Sequence, residues 1–577
     1  MNQNLERAIE LFCKLTDNTR GCLEGKSYID GRWIDNRQMA RWFDVTNPAT
    51  GEMIGYCHET PKVFIDKAFR EARRAQFRWR YLVSPQDKRR VFERLEALLK
   101  QWRTELAYLF SYESGKVLSN SIGDIIESED TVQAAHNTLH DNDGTVEEAQ
   151  LCNKFAGTIP WEHGIELAMK PFNFIAIYFW KVAASVMSGS AVVLKEAEQI
   201  PYSAMCMTAL VHQALRDVLG QEQAQKLAAL VQLLQGQGET VGEYAVENGD
   251  YDFISVTGSR RMGTEVTAKA ASKLRPQHAE LSGHNRVLMW FDYPIEKAAD
   301  EIVLGAFGDS GQRCVSTRAV FIPDALFDTT LSAVIERAKK LKIGDPLDPE
   351  TQLGPIISRE QLTAIEQSVS AISCNPIMGG YALNPSTLDR ARAEGFNFNP
   401  EDFRKGGKLA QGYWWVPTVF VRVPHYHDIM RYEVFGPVVV LQELERAYDE
   451  RAHYQGPNVN ADFWIDEYIK ARKLEKLPDI KKFLQGVALV NDNLFGLSSA
   501  CLSYDMRYAL HFLTLAQTGL RYIGRGTTGA EVDDNTIFGG GKNSGWGREG
   551  GSVRHARRKA QFYIDFHPCT RLAQQDE

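Results

Sequence analysis

The sequence predicts an α/β protein built on a doubly wound, largely parallel sheet, and three observations lead there. Short apolar runs at 191–194 (AVVL), 230–235 (LVQLLQ) and 253–256 (FISV) have the composition of strands buried on both faces. Helix-prone stretches separate them, giving the strand, helix, strand order that parallel pairing requires. At 577 residues the chain exceeds one ordinary core, so two or three domains are expected.

Along the chain, residues 1–15 (MNQNLERAIELFCKL) mix acidic and basic groups without a long apolar core, which is unlike a signal peptide. Ser84-Pro85 is a helix start, with Ser as N-cap and Pro in the first turn. Val91, Leu95, Leu98, Trp102, Leu106 and Leu109 follow at spacings of three and four, predicting one helix with a buried face. Residues 174–194 are about as long as a membrane span, but Lys181 lies inside, and Ser185, Ser188, Gly189 and Ser190 interrupt it. They read as a buried helix, a glycine turn and a buried strand, with no membrane partner. A second α/β stretch runs from about 281 to 445 and includes a further apolar strand at 438–441 (VVVL). Residues 446–490 are polar, charged and helix-prone, and read as a surface insertion.

A net charge of -8 and a pI near 6.0 argue against a nucleic-acid partner, since phosphate backbones need a basic face. The nine cysteines are scattered and include no CxxC pair, which points to a reducing, cytoplasmic compartment and away from a disulfide frame or a metal site.

Few residues can carry chemistry. Cys314 closes a small, flexible stretch, GDSGQRC, that suggests exposed backbone around a thiol; a nucleophilic cysteine needs its thiolate, hence a polar or cationic neighbourhood. Glu280, in HAELSGHN, is a carboxylate at a strand end. The run 256–259 (VTGS), followed by Gly263, joins a strand to a helix, and its free backbone N–H groups at Gly258 and Ser259 suit a pyrophosphate, although GSRRMG is not the GxGxxG spacing. Lys195 and Glu198, in VVLKEAEQIP, follow an earlier strand at the edge where nucleotides bind such sheets. They could hold ribose hydroxyls, or form only a surface ion pair.

Taken together and in order, PFNF, VVLKEAEQIP, VTGS, AELSGHN, GQRC, EVFGPVVVL, FGLSS and FGGGKNSGWGREGG resemble the aldehyde dehydrogenase superfamily from about residue 25 to 566. The resemblance implies a Rossmann-type NAD-binding domain (1–149 and 169–279), an α/β catalytic domain (280–549) and a small β oligomerisation arm (150–168 and 550–577) that makes a homodimer or homotetramer. It implies that Cys314 attacks an aldehyde substrate to form a thiohemiacetal, with the Asn173 amide and the Cys314 N–H holding the oxyanion. Hydride transfer to the nicotinamide would leave a thioester, and Glu280 would activate water to hydrolyse it. Lys195 and Glu198 would hold the adenosine ribose, and Gly258 and Ser259 the pyrophosphate. Glu433 and Phe435 would hold the nicotinamide end, and Trp180 belongs to the family's Trp-Lys pair, counted with the cofactor residues. A carboxylate such as Glu198 accepts a 2'-hydroxyl and repels a 2'-phosphate, so NAD is expected over NADP.

Several positions depart from the family's habit. Ser282 and His284 replace a Gly and the Lys of Glu-Leu-Gly-Gly-Lys, Glu196 replaces a Pro, Phe172 replaces a Trp, and the segment after Asn173 is one residue shorter. PFNF followed by Ile, Ala and Ile resembles the Δ1-pyrroline-5-carboxylate dehydrogenase branch, and the loop 527–531 (TTGAE) that of aminoadipate semialdehyde. Both lean toward a semialdehyde bearing a carboxylate, such as glutamate semialdehyde, held by backbone N–H groups. An ordinary loop is the other reading. Two rival functions remain: a CoA-acylating semialdehyde dehydrogenase, disfavoured because such members lack a Glu at the position of Glu280, and a non-catalytic scaffold on the same fold.

Overall fold

A computed structural model describes residues 2–19, 21–34, 41–140, 144–148, 154–452, 463–529, 538–547, 549 and 557–565. Its first sheet has five parallel strands at its centre: β1 (Ile165–Met169), β2 (Ala191–Lys195), β3 (Val231–Leu234), β4 (Phe253–Thr257) and β5 (Gln277–Glu280). They stand in the order β5-β4-β1-β2-β3, flanked by antiparallel strands Gly545–Trp546 beside β5 and Ser27–Ile29, then Arg32–Ile34, beyond β3. Strands β1 to β4 are buried at every position, which is why their sequences do not alternate. The order reverses between β1 and β4, and a crevice opens at the strand C-termini where a doubly wound sheet reverses.

A second sheet is parallel throughout: β6 (Asn285–Met289), β7 (Thr317–Ile322), β8 (Thr418–Val421), β9 (Val438–Glu443), β10 (Ser498–Leu502) and β11 (Leu520–Ile523), in the order β8-β9-β7-β6-β10-β11. Each sheet carries its own apolar core, as two α/β domains require.

The helices that matter for the site are α1 (Leu118–Asn137), α2 (Ile177–Ser188), α3 (Arg260–Ser272), α4 (Ile295–Phe307), α5 (Phe463–Arg472) and α6 (Ile480–Asn491). The apolar stretch 174–194 is α2, a left-handed Gly189 at φ 112°, and β2. Lys181 is tolerated inside it because its ammonium meets the Glu549 carboxylate at 2.6 Å. Among the described residues no helix is long and apolar enough to cross a membrane.

Three boundaries differ from the sequence reading. The helix begun at Ser84, whose side chain accepts the Asp87 N–H, ends at Gln101; Trp102 breaks it and a second helix, Arg103–Ser114, continues. The apolar rhythm crosses the break because the second helix is buried nearly all round and so continues the spacing of the first, and periodicity alone hides it. Residues 165–168, placed with the arm, are in β1, between β4 and β2. Residues 446–490 are not all insertion: α6 buries Phe483, Leu484, Val487 and Leu489 in the core of the second sheet. The charges of 466–482 masked that apolar face.

The three-stranded arm consists of Thr145–Glu148, Lys154–Glu162 and Arg557–Asp565, all antiparallel. Residues 149–153, 550–556 and 566–577 of the expected arm lie outside the described residues.

Candidate active site

The C-terminal ends of β1, β4 and β5 and the turn before β7 meet at one cavity of about 640 Å³. Asn173, Trp180, Gly258, Ser259, Glu280, Cys314, Glu433 and Phe435 all line it. Lys195 and Glu198 do not; Lys195 is the last residue of β2 and Glu198 lies just past it, with the ammonium 3.8 Å from the carboxylate.

The turn that leads into Cys314 is unusual backbone. Asp309, Ser310 and Gly311 take φ of 51°, 54° and 67°, three left-handed residues in succession between α4 and Cys314. Gly311 is required twice over: its φ is positive, and a Cβ there would stand 2.0 Å from the Gly436 carbonyl oxygen. Arg318, on β7, clamps the approach by donating to Gly311 O at 2.7 Å and to Gly436 O at 2.8 Å. On the far side, Asn285 Nδ2 donates to Cys314 O at 2.7 Å and to Ser316 O at 2.9 Å.

Cys314 packs against Ile177, Trp180, Val315, Leu497 and Phe538. Burial pushes its thiol up to about 12, and the Glu433 and Glu280 carboxylates act in the same direction. Arg313, adjacent in sequence, opposes this only weakly because it is paired with Asp309.

Glu280 ends β5 and is buried; its carboxylate accepts the Gly540 N–H at 3.1 Å, and its backbone carbonyl accepts the Gly258 N–H at 3.0 Å. Asn173 lies in a turn ahead of α2. The missing residue is absorbed there: Ile177 N donates to Phe174 O at 3.3 Å and Tyr178 N to Ile175 O at 3.0 Å, so α2 still begins beside the cavity.

Ser282 and His284 each find a distinct use. Ser282 accepts the Arg260 N–H at 3.3 Å and also hydrogen-bonds the Glu433 carboxylate, joining the first turn of α3 to that residue. Burial pushes Glu433 up to about 7, against the lowering effect of Arg318, whose guanidinium is 3.4 Å away. His284 is a core histidine: burial and neighbouring Arg286 push it down to about 3, and its Nε2 meets Ile429 O at 2.9 Å. It is therefore neutral and does not replace a lysine's charge. Phe172, where the family usually has Trp, packs edge-on against Phe435 at 6.1 Å.

Trp180 stands with aromatic and acidic neighbours: Phe174 at 5.3 Å, Phe538 at 5.0 Å, and Glu127, to which its Nε1 donates at 3.3 Å. None of these is a residue nominated for the dinucleotide.

Sequence reasoning missed several contributors. Glu549 accepts from Lys181 and from Thr257 Oγ1 at 2.9 Å, beneath the β4 turn. Arg318 and Lys116 are single charged residues with no motif to mark them, and Asp309 lies within GDSGQRC, where nothing local sets it apart. Gly236, Gly238 and Gly242 did leave a signal, GQGETVG directly after a buried strand. A Cβ at Gly242 would lie 3.2 Å from Met169 Cε and 3.9 Å from Lys195.

Comparison with known proteins shows the family and the fold. Residues 33–451 and 477–558 match the aldehyde dehydrogenase family. The chain is 28% identical over 533 residues to betaine aldehyde dehydrogenase of Mesorhizobium japonicum, covering 90% of this chain and 93% of that protein. It is 25% identical over 527 residues to glutarate-semialdehyde dehydrogenase of Pseudomonas putida, covering 91% and 94%. A solved structure of betaine aldehyde dehydrogenase from Staphylococcus aureus in complex with NAD+ has the same fold, with a TM-score of 0.80 at 21% identity over 98% of each chain. The family match skips 452–476, which locates the extra segment ahead of α6.

Proposed function

The chain belongs to the aldehyde dehydrogenase family, and on that footing we propose that it oxidises an aldehyde to the free carboxylic acid with NAD. The observation that carries the reading is the convergence of Cys314, Asn173 and Glu280 on one cavity. Cys314 attacks the carbonyl carbon. The Asn173 amide and the Cys314 N–H then stabilise the oxyanion of the thiohemiacetal, donors of a kind worth about 3 kcal/mol each. Glu280 takes a proton from the water that attacks the thioester, releasing the acid and the thiol. A buried carboxylate at this position favours water over CoA as acyl acceptor.

The residues present fit a dinucleotide. The N-terminus of α3, capped by Ser259 and preceded by Gly258, offers N–H groups to a pyrophosphate. Lys195 and Glu198, with Gly242 close by, suit the ribose diol, and Glu433 and Phe435 suit the nicotinamide end. NAD, when bound, accepts the hydride from the thiohemiacetal. Trp180 we assign to the aldehyde's side of the cavity.

For the tail of the aldehyde we favour a carboxylate-bearing semialdehyde such as glutamate semialdehyde. Arg313 and Gly529 both line the cavity, one a guanidinium and the other part of the loop nominated for a carboxylate; Ala530 and Glu531 of that loop lie outside the described residues. Glu127, which also lines the cavity, suits the ammonium of an amino-acid tail. We read the enzyme as a cytoplasmic homodimer or homotetramer. In the arm strand Lys154–Glu162, Phe155, Ile159 and Trp161 share one face and are about 40% exposed, as a subunit contact would need.

NADH absorbance with a panel of aldehydes, on wild type beside Cys314→Ala, tests the reading. Turnover with a carboxylate-bearing aldehyde that vanishes in the variant supports it. No signal with any aldehyde, or an acyl-CoA product, overturns it.

A further inference from the structure

Along one side of the cavity, which Asp124 and Arg313 help to line, lies a cluster of charges whose Lys116, Asp124 and Asp309 the chemistry above does not use. Lys116, between the helix Arg103–Ser114 and α1, points its ammonium at three different segments. It meets both Asp124 oxygens on α1, at 2.8 and 2.6 Å. It lies 3.2 Å from the Asp309 carboxylate on the nucleophile's turn. It also donates to the backbone carbonyl of Asn173 at 3.3 Å. The Lys116, Asp124 and Asp309 side chains are 5%, 2% and 4% exposed, so water screens these contacts little.

Asp309 in turn governs its own turn. It accepts from Asn120 Nδ2 at 2.5 Å and pairs with Arg313, the residue before Cys314. It is also the first of the three left-handed residues, a conformation that costs a non-glycine side chain energy unless its surroundings hold it. Two positive and two negative groups close the cluster, so it is neutral as a whole and each charge is compensated.

We propose that Lys116 is a positioning residue that sets the separation between the oxyanion donor Asn173 and the nucleophile Cys314, by holding the Asn173 carbonyl with one contact and, through Asp309, the Cys314 turn with another. The inference rests on the roles proposed above for Asn173 and Cys314. Its logic is geometric. The oxyanion needs a donor from each of two loops that no strand pairing joins directly, and a shift of about 1 Å in such an arrangement can lower turnover about 100-fold. Lys116 is a buried group that touches both loops. It contacts neither sulfur nor amide side chain, so it acts on their placement and not on the reacting atoms.

The test is a double-mutant cycle in turnover between Lys116→Met and Asn173→Ala, with thermal unfolding and NAD binding measured for each protein. The expected result is a kcat loss of about 100-fold for Asn173→Ala in wild type and of less than about tenfold in the Lys116→Met background, where the donor is already displaced. The Lys116→Met change alone lowers kcat while leaving the KM for NAD within about twofold, because the dinucleotide residues lie elsewhere. A loss on Asn173→Ala that is the same in both backgrounds overturns the inference and leaves the catalytic reading intact. Wild-type turnover in Asn173→Ala overturns that reading and the inference with it. Should Lys116→Met not unfold cooperatively, the same cycle with Asp309→Asn, which keeps a side chain suited to the left-handed turn, decides by the same outcomes.

Discussion

The Glu280 carboxylate is fastened to the Gly540 amide at 3.1 Å, so the group proposed to activate water is held by a glycine-rich segment 260 positions later in the chain. The water-activating role gives the first prediction. Glu280→Gln should still form a thioester, giving a burst of about one NADH per site, and then stall, with steady-state turnover down about 100-fold or more. Rapid-mixing absorbance measures both phases. Unchanged steady-state turnover removes Glu280 from the mechanism.

The nucleophile's protonation gives a pH dependence with a definite sign. With its thiol pushed up to about 12, Cys314 without cofactor is protonated at neutral pH, and its thiolate fraction rises as pH rises. Alkylation by iodoacetamide should therefore quicken about tenfold per pH unit from about pH 7 to 9, without levelling. A plateau by pH 8, absent from Cys314→Ala, would show the thiol to be far more acidic than its surroundings imply.

Gly311→Ala should cost both stability and activity. The new Cβ would meet the Gly436 carbonyl at 2.0 Å, at a φ of 67°. We expect destabilisation of about 2 kcal/mol or more and turnover down at least about tenfold. Chemical denaturation and steady-state kinetics read the two effects; a variant indistinguishable from wild type in both would mean that the turn relaxes freely.

Cofactor choice should pass through Glu198. The carboxylate repels a 2'-phosphate, so Glu198→Gln should raise kcat/KM with NADP by about tenfold, roughly 1.4 kcal/mol, while lowering it with NAD. Parallel assays with the two cofactors are sufficient, and a wild type that already prefers NADP would contradict the assignment.

What was legible in the chain follows from how local each feature is. The buried strands at 191–194 and 253–256 were readable because burial on both faces leaves an uninterrupted apolar run. Cys314, Glu280 and Asn173 were readable because each sits in a short run whose order along the chain resembles one family. Arg318 and Lys116 were not, since a lone buried charge gains its meaning from partners on other segments: Asp124 and Asp309 for Lys116, Glu433 for Arg318. Trp102 and α6 show the complementary failure. In the first, continuous periodicity concealed a break; in the second, surface charge concealed a core helix.

The clasp on Glu280 also bears on the order in which the molecule is completed. Gly540 supplies its amide and Glu549 the counter-charge of Lys181, while Cys314 and Asn173 are laid down far earlier. As the chain leaves the ribosome both sheets can be largely paired while the site still lacks these two contacts. The thiol of Cys314 is thus synthesised well before the contact that fastens the Glu280 carboxylate can form, so the roles proposed for the two residues come together only after the glycine-rich segment has been made.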